Sequence, residues 1–299
     1  MKYSENTIKW ILIIVLALIW GSSFILMKKG LDYYPPDQVA SIRMFASFIF
    51  LLPFIFRHVK VIPRSRWKWI FATGFFGNGA PAFLFATAQT VVTSATAGIL
   101  NSLTPVFTLI LGFLVFKTKV GLNRFIGVLL GFAGASALIF ATYNGSVFSI
   151  SWYAILIVIA TIGYATSVNI MRHRLQEVRS VLISGFALCF IGPPTGAYLL
   201  TTNFWEILMS GPEAVVALIY ILLLALFGTA ISIVMFNYLV KISGAIFASS
   251  VTYLIPIVAL IWGFADGEKV TWFHLLALGG ILAGVYLINL NKNKLRTNE

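Results

Sequence analysis

Apolar residues do not alternate with polar ones along this chain; they run together. Stretches of mostly apolar residues recur from Ile8 onward, separated by short polar or basic turns. Roughly 20 residues of α-helix cross the hydrocarbon core of a bilayer. Ten such spans can be drawn, at about 8–28, 38–56, 69–91, 94–116, 124–142, 152–171, 180–201, 214–240, 244–264 and 272–290. Helices are expected, because an isolated strand cannot satisfy its backbone in lipid and a barrel would show short alternating segments. The first run, Ile8 to Met27, is too long for a typical signal segment and lacks a cleavage site, so it reads as a span. The expected fold class is an all-α integral membrane protein with ten transmembrane helices.

The pattern repeats. A shift of 151 carries Ala97, Leu103, Pro105, Leu109, Ile110, Gly112 and Phe113 onto Ala248, Leu254, Pro256, Leu260, Ile261, Gly263 and Phe264. After a one-residue slip, Lys119-Val120 falls on Lys269-Val270 and Gly134 on Gly284. A shift of 144 lays Trp20-Gly21-Ser22-Ser23 on Tyr164-Ala165-Thr166-Ser167. The chain therefore divides into two five-helix repeats, 1–147 and 148–299, at the short polar loop near Tyr143 to Ser151. Five crossings is an odd number, so the second repeat enters from the opposite side. Two inverted repeats are a recurrent plan among secondary transporters.

Charge sets the orientation. The chain is 60% hydrophobic and only 10% charged, against about 25% in a soluble domain. A net charge of +12 could suggest nucleic acid, but the basic residues flank apolar spans and form no exposed face. With both termini in the cytoplasm, seventeen of the 21 Lys and Arg lie on that side. Only Lys28, Lys29 and Lys269 fall outside, and Arg43 lies within span two. That bias follows the positive-inside rule and places the chain in the inner membrane with cytoplasmic termini. Cys189 is the single cysteine, so no intrachain disulfide can form.

Polar residues inside the spans are the candidate chemistry. Asn78, Phe85 and Gln89 share one face of span three. Ser94, Asn101, Thr104 and Thr108 form a stripe on span four; Ser232 and Asn237 mark span eight, and Ser249 with Tyr253 marks span nine. Such groups either hold helices together or line a polar cavity. A buried amide has four bonding sites to satisfy, which favours a wet cavity for Asn78, Asn101 and Asn237. Trp20 and Tyr164 sit well inside their spans, away from the interfacial aromatic belt, and Trp262 is a third candidate. Pro105 and Pro256 each remove a backbone hydrogen bond, making them kinks or hinges. Arg43 either satisfies backbone carbonyls or holds an anionic substrate group; its place near the outer end of span two favours the structural role.

The acidic residues all fall in loops, tails or span ends, so no carboxylate is available for a proton relay at membrane depth. That points to a facilitator or exchanger. Gly74-Phe75-Phe76-Gly77-Asn78-Gly79 follows no strand and is not a dinucleotide loop. Gly127/Gly131 and Gly280/Gly284 read as close helix packing. His58, His173 and His274 lack metal-ligand spacing. Neither a nucleophile nor paired carboxylates lie at membrane depth, which argues against an enzyme. No metal, cofactor or nucleic acid is called for.

Taken together, the order and duplication of these motifs resemble the drug/metabolite transporter superfamily, in its bacterial ten-span EamA-type members. The resemblance rests on Trp20-Gly21 with Lys28, on Arg43, and on Leu103-Thr104-Pro105-Val106 with its partner Tyr253-Leu254-Ile255-Pro256-Ile257. The stretch from Gly267-Glu268-Lys269-Val270-Thr271 to Gly284-Val285 completes it. The acidic position after the proline span is Glu268 in the second half but Thr118 in the first, a departure from the family pattern. The resemblance implies export or exchange of small metabolites, such as amino acids, through a cavity between the halves, bounded by spans one, three, four, six, eight and nine. The substrate-facing residues expected are Trp20, Ser23, Asn78, Phe85, Gln89, Asn101, Tyr164, Ser167, Asn237, Tyr253 and Trp262, with Pro105 and Pro256 as hinges. Carriage of a nucleotide-like or cofactor-like anion and a non-transporting scaffold remain as alternatives. The partners expected are a small-molecule substrate and the bilayer; a monomer suffices to enclose the cavity.

Overall fold

The computed structural model describes residues 5–55, 62–92, 94–142, 152–258 and 272–289. Every regular element among them is helical. In chain order these are α1 (Glu5–Leu31), α2 (Pro36–Ile55), α3 (Arg64–Ala88), α4 (Ser94–Asn101), α5 (Thr104–Leu114) and α6 (Leu122–Thr142). There follow α7 (Trp152–Arg174), α8 (Ser180–Leu199), the short α9 (Phe204–Leu208), α10 (Pro212–Ser243), α11 (Ala245–Val258) and α12 (Trp272–Asn289).

Among the described residues, six helices, α1, α2, α3, α7, α8 and α10, are long and apolar enough to cross a membrane. Shorter apolar helices account for Thr104–Leu114, Leu122–Gly134, Ala245–Val258 and Gly279–Ile288. The expected continuous span at 94–116 is instead two helices separated at Ser102 and Leu103.

Helices pair across the two halves of the chain. Helix α2 lies along α8, α3 along α7, α1 along α10, and α6 along α12. The last pair touches backbone to backbone. A Cβ on Gly284 would stand 2.5 Å from Gly131 N and 2.7 Å from Gly127 O, so only glycine fits. This is the close packing that the four-residue spacing implies. Apolar side chains such as Ile11, Phe54, Phe113 and Leu200 face outward, as lipid contact requires.

Candidate functional site

Two helix breaks meet at the centre of the molecule. Pro105 has no N–H to donate to Asn101 O, its partner four residues back. Helix α4 stops there, and Thr104 Oγ1 donates to Asn101 O at 2.7 Å instead. Pro256 leaves Thr252 O free in the same way. Ser102 Oγ, from the other break, donates to that carbonyl at 3.2 Å. Within α11 the backbone tightens to a 3₁₀ turn over Ser250–Tyr253 just before the proline.

Two further irregularities face the breaks. Helix α3 widens to a π turn over Phe75–Gly79, and α10 does so over Leu226–Ile231. The turns begin 151 residues apart, the displacement that relates Pro105 to Pro256. Each turn brings a glycine against a serine of the other half. A Cβ on Gly77 would stand 2.3 Å from Ser167 Oγ, and one on Gly228 2.7 Å from Ser23 Oγ. π turns inside α-helices concentrate at functional sites.

Between these features lies a cavity of about 1010 Å³, its open mouth included. Trp20, Ser23, Asn78 and Phe85 line it from the first half, with Asn101 at the break; Tyr164, Ser167 and Asn237 line it from the second. The polar atoms divide into two groups. Some are spent on the fold: Trp20 Nε1 donates to Gly228 O and Ser232 Oγ, both at 3.1 Å, and Ser167 Oγ donates to Thr73 O at 3.2 Å. Asn237 Nδ2 donates to Ser184 Oγ at 2.8 Å, and Ser23 Oγ to Ile19 O. Hydroxyls on α5 turn back on their own helix, as Thr108 does to Thr104 O. Others stay available. The Asn78 amide and the Tyr164 hydroxyl have no hydrogen-bond partner among the described residues. The aromatic rings of Phe24, Phe85 and Tyr164 run in a row, 6.3 Å and then 6.0 Å apart.

Two of the expected residues, Tyr253 and Gln89, do not line this cavity. Tyr253 is fully buried elsewhere: its hydroxyl donates to Val128 O at 2.9 Å, and its ring lies on Gly131. The i+4 spacing from Ser249 holds for an α-helix. The 3₁₀ turn has three residues per turn, so Thr252, at i+3, takes the cavity face beside Ser249. Gln89, the residue after α3, keeps its N–H on Phe85 O one turn beyond Phe85 but does not line the cavity, and both its amide atoms are buried and unpartnered among the described residues. Trp262 lies outside the described residues.

Arg43 lies in the cavity wall. Its Nε donates to Thr229 Oγ1 at 2.7 Å across the two halves. Gly77, Gly228 and three methionines, Met27, Met44 and Met171, complete parts of the wall that were not anticipated. Extending the 151 shift would have paired Gly77 with Gly228; nothing in a single sequence marks the methionines. Thr118, where the acidic pattern is missing, sits at the far end of α5, its Oγ1 3.2 Å from His173 Nε2.

Among proteins of known sequence, an E. coli K12 protein named "Uncharacterized inner membrane transporter YedA" is 28% identical over 289 residues, covering 93% of this chain and 89% of its own. A Salmonella typhimurium protein named "Probable amino-acid metabolite efflux pump" is 24% identical over 290 residues, covering 92% of this chain and 93% of its own. One solved crystal structure, 16% identical, superposes with a TM-score of 0.75 over 99% of this chain and all of its own, so the fold is shared. The description EamA-like transporter family matches the chain twice, over residues 7–140 and 151–290, with the pairs of prolines, π turns and serines falling one in each match. The chain is a membrane transporter, not an enzyme, and it belongs to the EamA-like transporter family.

Proposed function

We propose that the chain exports or exchanges small metabolites, amino acids among them, by alternating access at the central cavity. The observation that carries this reading is the stitching of the two breaks, Ser102 Oγ to Thr252 O, beside a cavity walled by corresponding residues of both halves. Transporters commonly bind substrate where discontinuous helices of opposed repeats meet. In this reading the two matched units are five-helix repeats of opposite topology, with ten crossings and both termini in the cytoplasm. Helices α4 and α5 together make one crossing, and α11 begins its counterpart. The breaks at Pro105 and Pro256 act as hinges, because a freed carbonyl lets each half-helix tilt without losing an internal bond. No acidic residue among the described ones lines the cavity, which supports a facilitator or exchanger over a proton-driven pump.

Proteoliposomes preloaded with a metabolite mixture test this without any ion gradient. Efflux of a few species, identified by mass spectrometry, is the expected result. Efflux only under a pH or sodium gradient would contradict the uncoupled mechanism, and no efflux in either condition would contradict the transport reading.

A further inference from the structure

The cavity wall carries one charged side chain among the described residues, Arg43. A guanidinium removed from water without a counter-charge costs several kcal/mol. Here Nε is held by Thr229 Oγ1, and the two Nη groups have no protein partner among the described residues. The bond to Thr229 tethers the fork at Nε. A tethered guanidinium with its Nη donors unpartnered among the described residues matches a carboxylate, which accepts two parallel bonds from it. Tyr164 lies within electrostatic reach of the same group. Beyond it runs the row Phe24, Phe85, Tyr164. Methionines, flexible and polarisable, let such a wall accept apolar shapes of differing outline.

What the wall lacks completes the reading. An ammonium group entering the cavity finds no carboxylate among the described lining residues. Burying it there costs more than burying a neutral amide or carbonyl. We infer that the site takes small monocarboxylates bearing an apolar or aromatic arm and prefers those without a free amine, such as 2-oxo acids or N-acylated amino acids, over free amino acids. The carboxylate sits on Arg43 and the arm lies along the aromatic row. This rests on the transport reading for its purpose but not for its geometry, and it narrows the substrates of that reading.

The test is a ligand ladder on the full chain in nanodiscs: phenylpyruvate, N-acetylphenylalanine, phenylalanine and phenethylamine, read by equilibrium binding. The two anions bind; phenylalanine binds at least about tenfold more weakly, and phenethylamine does not compete. Arg43→Gln weakens the anions by about 10- to 100-fold, the loss of the charge-assisted carboxylate contact. Should that variant not fold, the ladder on the unaltered chain decides alone. Equal or tighter binding of phenylalanine, competition by phenethylamine, or no binding of either anion overturns the proposal. Counterflow in the same preparation separates the two readings. Anions that bind without flux leave the site standing and remove transport. Metabolite flux without anion binding leaves transport and removes the site.

Discussion

In the first half, the carbonyl freed by Pro105 is capped from three residues away, by Thr104; in the second, the carbonyl freed by Pro256 is capped from the opposite half, by Ser102. The same contrast recurs around the cavity. Trp20 and Tyr164 correspond, yet the indole N–H is spent on α10 while the phenol is free of protein partners among the described residues. Helix α2 contributes Arg43, and α8 contains no charged residue at all. What repeats is the set of backbone exceptions: proline break, π turn, glycine against serine. Those set where helices bend and how closely they approach, so both copies need them. Side chains need satisfy only one substrate, which presents different groups to the two walls. A cavity between equal scaffolds thus becomes chemically lopsided.

Four sets of substitutions would break or sharpen that comparison. The largest effect belongs to the glycine contacts. Gly284→Val forces a side chain onto the backbone of α6, where Gly131 N would stand 2.5 Å from the new Cβ, and costs roughly 3 kcal/mol or more. Gly280→Ala has ordinary space, with Gly134 Cα 3.5 Å away, and is tolerated. Melting in detergent distinguishes them; equal stability of the two variants contradicts the packing. Next, Arg43→Gln lowers flux by about 10- to 100-fold, the loss of a charge-assisted contact. Helix α8 carries no charge, so no charge-assisted contact of this kind can be lost there.

The third contrast is Trp20→Phe against Tyr164→Phe. The first leaves Gly228 O and Ser232 without their donor and costs about 1–2 kcal/mol of stability. The second changes stability by no more than about 0.5 kcal/mol, since no protein bond is lost, while it alters flux. Matching stability losses would show that the two positions are equivalent after all. The smallest effects belong to Pro105→Ala and Pro256→Ala. Each restores an N–H to a carbonyl that already has a hydroxyl donor, so stability barely moves and flux slows. Pro256→Ala slows it more, because its restored bond competes with the contact between halves.

Much of this architecture was legible in the sequence. The apolar runs announce helices, and the paired prolines mark where they break. Trp20 and Tyr164 betray themselves by depth, since a lipid-belt aromatic would sit nearer an end. Arg43 stood out as the one charge within a span, but its bond to Thr229 across the two halves is not written in a single sequence. Tyr253 was misplaced because a face counted at 3.6 residues per turn rotates away once the helix tightens to 3₁₀. Gln89 shares the turn of Phe85 but lies one turn beyond it, outside the cavity lining, which a face count along the helix does not reveal. Helical periodicity assumes unbroken helices, and it fails at the irregularities that build the site.

The central claim is that the cavity is the substrate's route, reached in turn from each side. Cys189 is the single cysteine, so a Cys189→Ser chain carrying Asn101→Cys or Asn237→Cys reports one wall at a time. A membrane-impermeant thiol reagent is applied to one face of the bilayer and then the other. The account predicts labelling of both positions from both faces, slowed at both by a transported substrate. Labelling from one face only, with no protection by substrate, would contradict it.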